Sequence, residues 1–483
     1  MQLHEYARHD ALGLADLVAR REVSATELAR TAMRAIEALN PKLGAVVETY
    51  ADRIDGLDES TLGDGPFRGV PFLMKDVFGH EAGRRIEFGS RLCAGMVAEV
   101  DSVYCTLVKA SGVNIIGRSA APEYSMAGTT ETTLYGHTST PWRQGYCAGG
   151  STGGGAAAVA SGLVPIAQGT DIAGSIRMPA SFCGGVGLKP SRGRISFAPM
   201  LDENGYGLGQ NFVQTKSIRD TAAMLDCLAV PQPGDPFVIP RPAGTWREGA
   251  QQAAPRPLRI GWSTAAHTGV PVDPEVAAAV QRTAQLLADM GHQVEEDTPA
   301  YDGLAAMHAM CTLWFFGFDG RLAGYARRTG RTPGPETLEP MVWKILQHAR
   351  TLGSAPFMAA MAQTNTSRRQ LGAVFARRDL WLTPTTPRVA EPWGLYSLCR
   401  DDVPFEGYVE QILAPVAQHT LPHNIMGTPA LSLPLFMHSN GLPIGVQLAA
   451  PPAQELLLLQ LGAELERALP WADRIPALHV SSA

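Results

Sequence analysis

No run of lysine and arginine in this chain is dense enough to grip nucleic acid. Acidic side chains outnumber basic ones by 46 to 40, a net charge of −6. Without a basic excess nothing is available to neutralise phosphates, so no nucleic-acid partner is expected. Nor is there a run of about 18 apolar residues, the length a membrane span requires. The longest small-residue tract, Gly153 to Gly162, is short and mostly glycine and alanine. Cysteine is sparse and odd in number: Cys93, Cys105, Cys147, Cys183, Cys227, Cys311 and Cys399 are scattered. That pattern predicts reduced thiols in a cytoplasmic protein, not a disulfide framework. Met1-Gln2-Leu3-His4-Glu5-Tyr6 has no basic region leading into an apolar one, so no signal peptide is expected. Internal repeats and low-complexity tracts are missing too. No His/Cys spacing suggests a metal site, and neither metal nor organic cofactor is expected.

What is present is a globular composition, 45% apolar and 18% charged over 483 residues, enough for one large α/β domain or two domains. Ser24-Ala25-Thr26-Glu27 reads as a capping box opening a helix with Leu28, Ala32, Ala35, Ile36 and Leu39 on one face, closed at Asn40-Pro41. Val113 to Gly117 reads as a buried strand, Ala156 to Ser161 as a small-residue helix, and Leu163 to Gln168 as a strand. The Pro- and Gly-rich stretch from Pro231 to Pro257 reads as a surface excursion. Beyond it come a strand at Leu258 to Trp262, a helix behind Asp273-Pro274, and a strand at His292 to Glu295. Tyr301 to Arg377 is helical in character, with Trp314-Phe315-Phe316 as core or pocket wall. Thr428 to Pro434 and Leu442 to Leu448 read as a hairpin-like pair of strands. Alternating strands and helices predict an α/β fold with a mostly parallel or mixed sheet.

Chemistry concentrates in two glycine-rich stretches whose serines lie 24 residues apart, Gly149-Gly150-Ser151-Thr152-Gly153-Gly154 and Gly169-Thr170-Asp171-Ile172-Ala173-Gly174-Ser175. Glycines around a hydroxyl let backbone N–H groups approach a developing oxyanion. A phosphate loop would need Gly-Lys-Ser/Thr, which is missing, and a dinucleotide fingerprint would need a strand before Gly149, where Pro141 to Tyr146 reads as a loop. The same missing strand argues against Gly149-Gly150-Ser151-Thr152-Gly153 as an α/β-hydrolase elbow. Upstream, Gly69-Val70-Pro71-Phe72-Leu73-Met74-Lys75-Asp76 supplies a lysine that, held neutral, could take a serine's proton. A Ser-Ser-Lys relay for acyl transfer is the reading these residues support.

These motifs resemble the amidase signature family. The likeness is carried by Gly149-Gly150-Ser151, by the run from Gly169 through Gly174-Ser175-Ile176-Arg177-Met178-Pro179 to Gly187-Leu188-Lys189-Pro190, by Lys75 in its apolar context, and by Thr383-Pro384-Thr385 and Gly441 to Gln447. Lys189 to Ile195, Leu457 to Gln460 and Ala468 to Trp471 narrow it to a subgroup of cyclic-amide hydrolases, in which Cys311 would match a cysteine of the substrate pocket.

The resemblance implies an amidase signature fold: a large mixed, mostly parallel β-sheet flanked by helices on both faces. It implies a single domain over 1–483, with a catalytic core at 65–225 and a mostly helical specificity region at 300–425. Ser175 would be the acylated nucleophile and Ser151 the bridge to Lys75, with the Gly150–Ser151 peptide cis. Backbone amides of Ile172, Ala173, Gly174 and Ser175 would hold the oxyanion. Thr152, Asp171 and Arg177 would support the site. Lowering a lysine from about 10.4 to about 7–8 costs roughly 4 kcal/mol, and burial is the expected source. Two positions depart from the family pattern: Thr152 stands where a second serine is usual, and Ala173 replaces a glycine. The expected substrate is a small linear or cyclic amide, an aryl amide or a carbamate, the regions 124–146, 200–214, 305–345 and 395–425 are expected to wall its pocket, and a homodimer is the open oligomeric option. Two other readings stay open: the glutaminase subunit of a tRNA-dependent amidotransferase, and a non-catalytic binding protein on the same scaffold.

Overall fold

Strands that are buried along their whole length hold the centre of the molecule. The computed structural model describes residues 1–254 and 257–482. Its strands are β1 (Val46–Thr49), β2 (Pro71–Lys75), β3 (Asn114–Ser119), the short pair β4 (Glu131–Thr132) and β5 (Gly136–His137), β6 (Ile166–Asp171), β7 (Val186–Lys189), β8 (Gln210–Thr215), β9 (Arg259–Trp262), β10 (Gln293–Glu296), β11 (Leu380–Pro384), β12 (Ala430–Met437) and β13 (Pro443–Ala449). Apart from β4 and β5, they form one eleven-stranded sheet in the order β1-β3-β2-β6-β8-β7-β12-β13-β11-β9-β10. Helices flank it. In β2, β3, β6, β7, β8, β11 and β13 every residue is buried, as in strands covered on both faces.

The sheet is mixed, but parallel pairs do not predominate. They are β3–β2, β2–β6, β11–β9 and β9–β10, and every other neighbour pair is antiparallel. Two insertions cause this. β8 runs antiparallel into the gap between β6 and β7, and β12–β13 is a hairpin. The hairpin was expected from its two strand patterns, whereas the placement of β8 between β6 and β7 is not visible from local pattern.

Most helical expectations hold within a few residues. Asp273 caps the helix Pro274–Asp289 with Pro274 in its first turn, and the four helices Gly303–Phe315, Phe318–Thr329, Pro340–Ala349 and Ser354–Gly372 fill the expected helical region. Asn40-Pro41 does not end the first long helix, which runs Ala25–Leu43 to a left-handed Gly44. Asn40 Oδ1 accepts from the amides of Ala45 and Val46, so its side chain organises the exit one turn later than expected. The expected strand from Leu163 begins only at Ile166, and the excursion after Pro231 is mostly irregular with one short helix, Trp246–Gly249; Pro255 and Arg256 lie outside the described residues.

The helix expected from Ala156 starts three residues earlier, at Gly153. There the helix meets the end of β3: a Cβ on Gly154 would sit 2.4 Å from the Ala120 amide nitrogen. The glycines that weaken helix propensity therefore permit backbone-to-backbone contact just after Ser151.

Candidate active site

The β2 strand delivers Lys75 into a place with almost no water, and its side chain is 1% exposed. The strand is anchored there because the Lys75 amide donates to Gln168 Oε1 (2.8 Å) on β6. Lys75 Nζ then lies 2.7 Å from Ser151 Oγ, 2.7 Å from Thr170 Oγ1 and 3.1 Å from Thr152 Oγ1. Among the described residues its partners are hydroxyls, with no carboxylate in contact. Burial pushes the ammonium well below the usual lysine range, and the more distant Asp171 only partly offsets this. The Gly150–Ser151 peptide is cis. Thr152 Oγ1 also donates to the Thr170 carbonyl (3.3 Å), so the threonine in place of a serine ties the glycine loop to β6.

Ser175 sits in the turn between β6 and the helix Arg177–Cys183, and one carboxylate shapes that turn. Asp171 accepts from the Gly174 amide (2.8 Å) and the Ile176 amide (3.2 Å), the two neighbours of Ser175. Arg177 grips the same carboxylate through Nε (3.0 Å) and Nη2 (2.9 Å). Its remaining N–H groups reach the Thr420 carbonyl, Gln447 Oε1 and Asn424 Oδ1 at 2.7–2.8 Å. Burial alone would raise the Asp171 carboxyl, but Arg177, Lys189 and Asn424 hold it down to about 2. Asp171 and Arg177 thus hold the turn on either side of Ser175 by hydrogen bonds.

One expected oxyanion donor is already committed. The Gly174 amide is spent on Asp171, so it is not free for a ligand. Among the described residues, the amides of Ile172, Ala173 and Ser175 have no internal acceptor. Gly174 serves by its shape instead: its φ is +127°, and a Cβ there would lie 2.2 Å from Thr420 Oγ1. Ala173 is not among the left-handed residues, so its methyl group carries no backbone strain.

A cavity of about 490 Å³ opens onto Ser151, Thr170 and Ile172. Its wall is aromatic. Phe88 stacks on Tyr325 (4.9 Å between centroids), and Tyr124 packs edge-on to Phe318 (5.4 Å). Two residues that line this space, His80 and Ser125, each carry a buried polar atom, Nδ1 and Oγ, with no hydrogen-bond partner among the described residues. Among the described residues no three His, Cys, Asp or Glu side chains converge as a metal site would require, and no helix is long and apolar enough to cross a membrane.

A family model described as Amidase matches residues 27–459. The chain belongs to the amidase family. It is 35% identical over 482 residues to the 6-aminohexanoate-cyclic-dimer hydrolase of Paenarthrobacter ureafaciens, covering 97% of this chain and 96% of that protein. It is 30% identical over 476 residues to the acylamidase of Rhodococcus erythropolis, covering 97% of each. The solved structure of 6-aminohexanoate cyclic dimer hydrolase complexed with substrate superposes with a TM-score of 0.92 at 34% identity, over 98% of this chain and 99% of that one. The protein is an amide-hydrolysing enzyme.

Within this amidase the expected pocket cysteine is misplaced. Cys311 does not line the cavity; its thiol is buried near Glu410 and Tyr408, and burial pushes it far up. One turn on, Trp314 lines the cavity instead. Of the expected wall regions, 124–126, 200–206 and 314–328 contribute, while 395–425 does not. Two contributions were missed. Thr170, inside the second glycine-rich stretch, touches the lysine, and strand alternation from Gln168, whose side chain reaches Lys75 N, would have flagged it. Val77 to Phe88 also lines the cavity, brought in by left-handed Phe78 and Phe88, for which the sequence carries no signal.

Proposed function

We propose that this amidase cleaves small amides through an acyl-enzyme on Ser175, with Ser151 as proton bridge and Lys75 as base. The observation that carries this reading is the amine of Lys75, stripped of water and set 2.7 Å from Ser151 Oγ. Ser175 Oγ attacks the amide carbonyl while its proton passes through Ser151 to Lys75 Nζ. The amides of Ile172, Ala173 and Ser175 receive the oxyanion. As the C–N bond breaks, Lys75 returns that proton through Ser151 to the departing amine. Water then adds to the ester, giving its proton along the same path, and Ser175 leaves with it as the acid is released.

The substrate class is a linear or cyclic amide, an aryl amide or a carbamate with an apolar body. The aromatic wall and the cavity of about 490 Å³ support it, as does likeness to an enzyme named for a cyclic dimer of 6-aminohexanoate. Trp314, Phe318 and Tyr325, on the helices between 303 and 329, supply specificity. Seven unpaired thiols support a reducing compartment, the cytoplasm.

A fluorophosphonate, followed by peptide mass spectrometry, should modify Ser175 alone. Ser175→Ala should lose hydrolysis across a panel of linear, cyclic and aryl amides, a urethane and glutamine. Turnover surviving in Ser175→Ala removes the mechanism, and turnover of glutamine alone favours the glutaminase reading.

A further inference from the structure

A second cavity, of about 300 Å³, shares no lining residue with the first. Its volume falls at the lower end of the range for small-molecule sites. Val159 and Ala160 line it from the end of the helix Gly153–Ala160, and Gly184 from the end of the helix Arg177–Cys183. Those helices begin beside Ser151 and Ser175, so this space lies at their far ends, away from the hydrolytic centre.

Into it faces an amine without a partner. Lys216 follows β8 and lines the cavity, and among the described residues its Nζ makes no hydrogen bond or ion pair. Three carboxylates are near, and each is engaged elsewhere or poorly suited. Asp10 accepts from Arg219 Nε (2.6 Å) and Nη2 (2.5 Å), from Ser217 Oγ and from the Gly13 amide. Asp220 accepts the amides of Ala11 and Leu12 at 2.8 and 3.0 Å. Burial raises the Glu466 carboxyl to about 7, and it accepts only a long bond (3.4 Å) from the Ile218 amide. Burial also lowers Lys216 to about 8, so it still carries a proton at neutral pH. Lys216 is only half-buried, so its amine is open to a ligand from the cavity, and no side chain among the described residues bonds it.

The other lining groups narrow the ligand. Arg8, exposed at the rim, also has no side-chain partner among the described residues, whereas Arg474 spends its guanidinium on the carbonyls of Pro434 and Leu435. The Trp471 indole donates to the Lys216 carbonyl (2.9 Å), which fixes its ring as an apolar wall with Ile475. The carboxylates of Asp10 and Glu466 at the edge oppose a doubly charged phosphate. A single negative charge on a flat apolar body suits the space.

We propose that this cavity is a second binding site, separate from the hydrolytic centre, for a small organic monocarboxylate whose oxygens pair with Lys216. Benzoate is the probe, with benzylamine as its cationic counterpart, titrated calorimetrically against the whole enzyme. Benzoate should bind and benzylamine should not. Lys216→Met should weaken benzoate at least tenfold and Lys216→Arg should keep it, while Phe88→Leu, in the hydrolytic cavity, should leave it unchanged. Lys216→Met removes an unpaired charge, so its melting temperature should not fall, which separates lost binding from lost fold.

Raising the pH from 7 to 10 should weaken benzoate in the wild type as Lys216 loses its proton. Glu466 ionising acts in the same direction at the lower end, and Asp10, Arg219, Asp220, His9 and His479 face the same region. The slope above pH 8 should therefore vanish in Lys216→Met. Equal affinity in Lys216→Met and wild type, binding of benzylamine as tight as benzoate, or loss of benzoate in Phe88→Leu would each overturn the proposal.

Discussion

The platform under the two serines and the wall opposite treat polar groups in opposite ways. In the platform nearly every donor and acceptor is spoken for: Arg177 uses its whole guanidinium, and Lys75 contacts three hydroxyls. Among the described residues the amides of Ile172, Ala173 and Ser175 stay without an acceptor there, where the proposed reaction would develop negative charge. On the wall, aromatic rings surround His80 Nδ1 and Ser125 Oγ, left without partners. A preorganised network costs no rearrangement during the reaction, whereas unpaired wall atoms must find partners in the substrate. On the function proposed above, the platform would fix the chemistry and the wall would select the amide.

The sharpest test removes the base. Lys75→Met should lower kcat/KM by about 10⁴-fold or more for every amide, while its melting temperature stays level or rises, because a desolvated amine is lost. In the wild type, activity should rise with pH as Lys75 deprotonates and level off well below pH 10, since burial favours the neutral form. A rise that continues past pH 10 would put the base elsewhere.

Asp171→Asn should cost about 3–5 kcal/mol of stability in denaturant titration, because it leaves Arg177 buried without its counter-charge. The sign follows from the depressed carboxyl. Its stabilisation is complete above the unfolded value near 3.9 and is lost as pH falls towards about 2, so the variant should resemble the wild type most closely in acid.

Gly174→Ala tests shape with no change of charge. At φ +127°, with Thr420 Oγ1 2.2 Å from the new methyl, it should cost about 1–3 kcal/mol and lower kcat/KM tenfold to a hundredfold. The smallest effect belongs to the wall. Phe88→Leu should change relative kcat/KM among linear, cyclic and aryl amides by about tenfold, with kcat for the smallest amide nearly unchanged. A uniform loss across the panel would erase the division between platform and wall.

That division also marks what could be read from the chain. The meeting of Lys75 with Ser151 and the turn that carries Ser175 were legible because each lies in a short motif whose glycines and apolar neighbours state a local requirement. The helix behind Asp273-Pro274 and the β12–β13 hairpin were legible for the same reason. The wall was only partly so. Phe78, Phe88, Tyr124 and Ser125 all adopt left-handed backbone, at φ between +50° and +61°, which no glycine or asparagine announces. The position of β8 between β6 and β7 is a long-range fact as well. The committed Gly174 amide shows the limit even inside a motif, since sequence names a donor but not its acceptor.

The lysine's three hydroxyl neighbours have a further consequence. A carboxylate beside an amine would trap its proton, because it can only accept. A hydroxyl can accept or donate by turning about its C–O bond while its oxygen stays in place. Ser151 or Thr170 can therefore point a hydrogen at the single lone pair of Lys75 Nζ when it is neutral. All three hydroxyls can turn lone pairs towards it when it is charged, Thr152 while still donating to the Thr170 carbonyl. The centre can change charge without changing shape, so in the proposed mechanism the same arrangement would serve the loading of the enzyme and its release.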